Sequence, residues 1–120
     1  MKRICSIALV LGILIQPTSS KAEFFMAGVG AVPCGTVAEG YRQDPTQTEG
    51  VMLTWAQGFM TGSNVSLGGG QYRDLIAMTV DEQKKSLRAY CDAHPLAEFI
   101  EAAMDLYSKL PLKKYTPPSR

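Results

Sequence analysis

The strongest constraint on what this chain can fold into is a pair of cysteines, Cys34 and Cys91, which remain once an export signal has removed the third. Met1-Lys2-Arg3 is a positively charged start, Ile4 to Ile15 is apolar apart from Ser6, and Ser20-Lys21-Ala22 is a small-x-small cleavage site. That pattern predicts a secretory signal peptide over residues 1–22, cut after Ala22. The apolar run is too short to span a bilayer comfortably, so a membrane anchor is the weaker reading. No cysteine stands at the cleavage position, which disfavours a lipoprotein. Cys5 leaves with the signal, and an even pair in an exported chain is most economically one disulfide. The alternative is a redox or metal-binding thiol pair, but there is no C-x-x-C and no histidine near either cysteine at metal-ligand spacing.

Cleavage also changes the charge. The full chain carries 12 basic and 11 acidic groups, for a formal charge of +1. Without Lys2, Arg3 and Lys21, nine basic groups face all 11 acidic ones, and the charge becomes −2. Such a surface has no basic field for nucleic acid. At 46% hydrophobic and 19% charged, the composition is that of one globular domain, neither collagen-like nor disordered.

Hydrophobic spacing predicts an all-α fold, a small bundle of three main helices plus short ones. Residues 23–33 form an apolar, glycine-broken arm with neither helical nor strand period. The helical domain spans 34–111, and 112–120 is a basic tail expected to be mobile. Three T-x-x-E patterns mark helix starts at Thr36, Thr46 and Thr79. Asp44-Pro45 ends the first helix. The second carries Met52, Trp55, Ala56, Phe59, Met60 and Ser63 on one face and ends near Asn64. Gly58 and Gly62 lie four apart on it, a spacing that favours close approach of a neighbouring backbone. Gly68-Gly69-Gly70 is a loop, and Tyr72 to Met78 has room for a turn or two of helix. In the third helix Val80, Leu87 and Cys91 share a side with Tyr90 beside them, while Asp81, Glu82, Lys84, Lys85 and Arg88 form a solvated face. Pro95 suits the first position of a last helix, with Leu96, Phe99, Ile100, Ala103, Leu106, Tyr107 and Leu110 as its apolar stripe and Pro111 as its stop.

No catalytic constellation can be assembled, so the chain does not read as an enzyme. The only histidine, His94, precedes Pro95, where a capping or surface role is the simpler account. With both cysteines assigned to a disulfide there is no thiol nucleophile. Glu98, Glu101 and Asp105 lie on an exposed side without a calcium-loop pattern, so no metal or cofactor is expected. The triple glycine is not a phosphate cradle, since no strand precedes it and no Lys-Ser/Thr follows. Apolar surface is the more informative feature. Met26, Met52, Met60, Met78 and Met104, with Trp55 and the Phe24-Phe25-Met26 arm, supply adaptable groups for apolar protein partners, or else fill the core.

An exported chain with Cys34 before a short helix, the stretch Trp55-Ala56-Gln57-Gly58-Phe59-Met60-Thr61-Gly62-Ser63-Asn64, and Tyr90-Cys91-Asp92-Ala93-His94-Pro95 before a last helix resembles the HdeA/HdeB-like periplasmic proteins of Gram-negative bacteria. The resemblance covers roughly Cys34 to Leu110. It implies a small helical protein with Cys34 joined to Cys91, located in the periplasm, and an acid-stress chaperone that dimerises near neutrality and exposes apolar surface on acidification. The helix around Trp55, Phe59 and Met60, with Phe24 and Phe25, would then contribute the client or dimer surface. Below the carboxylate pKa of about 4 the charge moves from −2 to about +10, enough self-repulsion to loosen a small fold. The chain departs from that family in its triple-glycine loop, its apolar arm and its Pro-rich tail. It is similar also to periplasmic immunity proteins of the Tai type, helical dimers that neutralise a secreted effector enzyme. The step Gln57-Gly58-Phe59 and the segment Tyr90 to Pro95 carry that second likeness.

Overall fold

Covalent geometry organises the structure, a computed structural model that describes residues 27–118. Cys34 and Cys91 are bonded, with Cα atoms 4.7 Å apart, inside the usual range for a disulfide. Residues 1–26, which include the expected signal peptide and Phe24-Phe25-Met26, lie outside the described residues. Among those described are a 3-10 turn, Gly28–Ala31, four helices, α1 (Cys34–Gln43), α2 (Pro45–Leu67), α3 (Val80–Ala93) and α4 (Phe99–Lys109), and two short strands, β1 (Gln71–Arg73) and β2 (Leu112–Lys114). The all-α class holds, with one disulfide and one small antiparallel ribbon added to the bundle.

Each helix start has a local cause. The first N–H groups of a helix lack partners within it. In α1 they are satisfied from outside: Cys34 N donates to Ala97 O at 2.8 Å and Gly35 N to Pro95 O at 2.9 Å. That is why α1 begins at Cys34 rather than at Thr36. The Thr36/Glu39 capping box is not used, and the Glu39 carboxylate binds Arg42 and Gln43 instead. Asp44 caps α2 by accepting from Gln47 N at 3.0 Å, with Pro45 in the first turn, so the Thr46/Glu49 box is not used either. The third box forms as expected: Thr79 accepts from Glu82 N, and Glu82 accepts from Thr79 N at 2.7 Å.

Pro95 does not open α4. The chain from His94 to Ala97 turns, its Pro95 and Ala97 carbonyls are spent on α1, and the helix starts at Phe99 with Glu101 accepting from Glu98 N at 3.1 Å. Leu96 is consequently 97% exposed rather than part of the apolar stripe. α2 continues past Asn64 to Leu67 and stops where Gly68, Gly69 and Gly70 all take positive φ, a conformation side-chain-bearing residues rarely adopt.

Burial follows helical spacing. Val37 and Tyr41 of α1, Met52, Ala56 and Met60 of α2, Leu87 and Cys91 of α3, and Phe99, Ala102, Ala103 and Leu106 of α4 build one core around the disulfide. In α3 the inward position one turn before Leu87 is Gln83, while Val80 is exposed. Gly58 and Gly62 face open space, with no neighbouring backbone for them to admit.

The segment after the triple glycine is strand rather than helix. Gln71, Tyr72 and Arg73 pair antiparallel with Lys114, Lys113 and Leu112, so the tail is tied down over its first three residues. Both strands are long-range partners that alternation within so short a run does not reveal. Arg73 fastens the ribbon to the bundle: its guanidinium donates to Ser108 O at 3.0 Å and Leu110 O at 2.7 Å, orphan carbonyls at the end of α4, and lies over the Tyr107 ring.

Candidate functional site

The aromatic residues singled out from the sequence converge where the 3-10 turn crosses the bundle. Trp55 and Phe59, one turn apart on α2, stack at 5.6 Å between ring centroids, and Phe99 of α4 meets Trp55 edge-on at 5.8 Å. Gly30 closes the cluster from above. Its backbone lies so near the indole that an added Cβ would sit 2.3 Å from Cζ2 of Trp55. Val29 and Val32 pack on the core on either side of it. The turn is held by Phe99 N, which donates to Val32 O at 2.9 Å. Trp55 and Phe59 are therefore partly covered. Met60 is fully buried and lies outside any surface of the folded chain, because it points with Met52 and Ala56 into the core. Phe24 and Phe25 lie outside the described residues.

Several ties elsewhere in the bundle and ribbon end on carboxylates. Lys84 of α3 reaches Glu49 of α2 at 2.7 Å, and Lys113 of β2 reaches Asp74 after β1 at 2.5 Å. The hydrogen bond from Lys113 holds the Asp74 carboxyl below the usual carboxylate range. Hydrogen bonds from Thr79 lower Glu82 in the same way. Asp74 and Glu82 keep these partners while ionised and release them on protonation. The disulfide is indifferent to acid.

Two amide side chains that sequence reading passed over position the loops. Gln83, buried in α3, donates to Leu75 O and Met78 O at 3.0 Å each and accepts from Gln57 at 3.3 Å, latching the 74–79 loop to α2 and α3. Its place at i, i+4, i+8 with Leu87 and Cys91 is the signal that would have found it. Asn64 accepts from Arg73 N at 2.7 Å and from Tyr107 Oη at 2.8 Å, and donates to Arg73 O at 2.8 Å. Nothing local in the sequence marks that role, since its partners are nine and 43 residues away.

The other polar residues singled out from the sequence have local partners among the described residues. His94 closes α3, stacks on Tyr90 at 4.3 Å and has Nδ1 2.9 Å from Tyr90 O. Glu101 serves in the α4 capping interaction, and Asp105 binds Lys109. Among the described residues no cluster of three or more His, Cys, Asp or Glu is placed to hold a metal ion. No helix among them is long and apolar enough to cross a membrane. Ile76 and Val80 stand exposed at the rim of a cleft floored by Gln57, Thr61 and Gln83. Comparison with protein-family models, with curated proteins and with solved structures finds no match.

Proposed function

We propose that this is an exported, periplasmic protein-binding protein of the HdeA/HdeB-like kind, which exposes its aromatic cluster and binds unfolded clients when its surroundings turn acidic. The observation that supports this reading is the division of labour among its ties. One link between α2 and α3 ends on Glu49 and one between β2 and the loop after β1 ends on Asp74, whereas α1 and α3 are joined covalently. Acid removes the Asp74 tie, and the net charge climbs from −2 toward about +10. The fold then loosens around a crosslink that limits expansion, and Trp55, Phe59 and Phe99 gain access to partners. The activity needs no cofactor and no catalytic residue.

The test uses oxidised protein without residues 1–22. Binding of an apolar dye, and suppression of the aggregation of an acid-denatured client, are measured between pH 7 and pH 2. The reading predicts low dye binding and no protection at neutrality, with both rising steeply below about pH 4, where carboxylates protonate. A protein that stays closed at pH 2 and protects nothing overturns it. A neighbouring gene for a secreted effector enzyme, with tight neutral-pH binding to its product, would instead establish the immunity reading.

A further inference from the structure

The two edges of the β1–β2 ribbon are treated differently. In the ladder, Tyr115 N donates to Gly70 O and Asp74 N to Pro111 O. With Tyr72 opposite Lys113, this register points the backbone groups of Gln71 and Arg73 away from β2, and those of Leu112 and Lys114 away from β1. On the β1 side the outward N–H and C=O of Arg73 are both taken by the Asn64 side chain, at 2.7 and 2.8 Å. On the β2 side, among the described residues, no group bonds the outward N–H and C=O of Leu112 or Lys114. All three residues of β2 are exposed. One edge is sealed by an amide that imitates a strand, and the other is left as a template.

We propose that the outer edge of β2 is a docking site that takes an extended, acidic segment of another polypeptide as a third strand. Charge selects this occupant. Lys113 is engaged by Asp74, but among the described residues the Lys114 ammonium has no carboxylate partner. A second copy of the chain is disfavoured: either two-fold antiparallel register that uses the whole strand sets Lys113 or Lys114 directly opposite its own symmetry mate, a repulsive pair. An acidic residue facing Lys114 gives the opposite result. The segment is short, because Pro111 precedes the strand and Pro117-Pro118 follows it, and Pro118 has no N–H to donate. A two-stranded ribbon is marginal by itself, so a third strand stabilises it as well as filling the edge. This site operates in the closed, neutral-pH fold and does not depend on acid-triggered opening.

The experiment titrates the protein at pH 7 with acetyl-Glu-Val-Glu-Val-Glu-amide, following heat and the amide exchange of Leu112 and Lys114. Saturable binding with protection of those two amides is expected. Methylating the peptide nitrogens that face β2 should abolish it. Lys114→Pro removes one outward donor and should weaken binding by about tenfold or more. Lys114→Glu keeps the backbone and should exchange the preference, favouring a peptide with Lys in place of Glu; this variant decides the matter if the proline variant misfolds, as tryptophan emission will report. Absence of binding at millimolar peptide, undiminished binding to Lys114→Pro, equal affinity for acidic and basic peptides, or a homodimer that Lys114→Pro dissolves would each overturn the proposal.

Discussion

Replacing Gly30 by alanine tests the closure of the aromatic cluster directly. The added methyl would lie 2.3 Å from Cζ2 and 2.5 Å from Cη2 of Trp55. Carbon atoms in contact rest about 3.5–4.0 Å apart, so ring and turn must separate by more than about 1 Å. The indole has little room to yield, because Phe59 stacks on one side and Phe99 meets it edge-on. The 3-10 turn must therefore lift, or the cluster must strain. Overpacking of this kind costs about 1–3 kcal/mol. At a midpoint of about 2 kcal/mol, the melting temperature of a domain this size falls by about 8–16 °C. Trp55 is the sole tryptophan, so its emission reads the event without labelling. Lifting the turn wets the ring and shifts emission to the red. Gly58→Ala is the control: its site is open, and the same change in a helix interior stabilises by about 0.5–1 kcal/mol. If Gly30→Ala melts within about 2 °C of the parent with unshifted emission, the turn does not seal the cluster and the reasoning fails.

Reduction, or the Cys34→Ser/Cys91→Ser pair, releases a loop of sequence separation 57 and should lower stability by about 4 kcal/mol in denaturant titration, on chain-entropy grounds. Gln83→Leu strands the carbonyls of Leu75 and Met78 and should cost about 1–3 kcal/mol, with faster amide exchange confined to the 74–79 loop. The Asp74 carboxyl is held low by Lys113, so its contribution is present above the unfolded carboxylate pKa and is lost as pH falls through the lower folded value. Asp74→Asn should therefore melt lower than the parent at pH 7, and the two melting curves should converge near about pH 2; a constant offset across that range would show that the ion pair contributes nothing.

Much of the bundle was legible because its signals are local. The Thr79 box, the Met52-Ala56-Met60 stripe, the stop at Pro111 and the cysteine pair each depend on residues within a few positions or on simple pairing arithmetic. What was illegible depends on distant partners. Thr36 and Thr46 look like caps, but α1 draws on carbonyls 60 and 63 residues away in sequence, at Pro95 and Ala97, and Asp44 outcompetes Thr46 at the start of α2. A three-residue strand carries too few alternations to declare itself, and β1 forms because β2 and Asn64 are waiting for it. At the candidate site, Trp55 and Phe59 were visible as large apolar residues in an amphipathic helix. The cover over them was not, because a glycine's role as a contact surface is written in its neighbour's ring and leaves no mark on its own spacing.

The glycines of α2 bear on how the molecule comes apart. Gly50, Gly58 and Gly62 meet no neighbouring group that would require them, yet each weakens a helix interior by about 1 kcal/mol relative to alanine. Trp55 and Phe59 thus ride on a stretch that three glycines weaken, whereas α1 and α3 are riveted through sulfur. Native-state hydrogen exchange should accordingly resolve two cooperative units: an α1–α3 pair that exchanges only through global unfolding, and a central stretch of α2 that opens at a fraction of that free energy. Opening of that stretch would uncover Trp55 and Phe59 while the disulfide-joined pair stays folded.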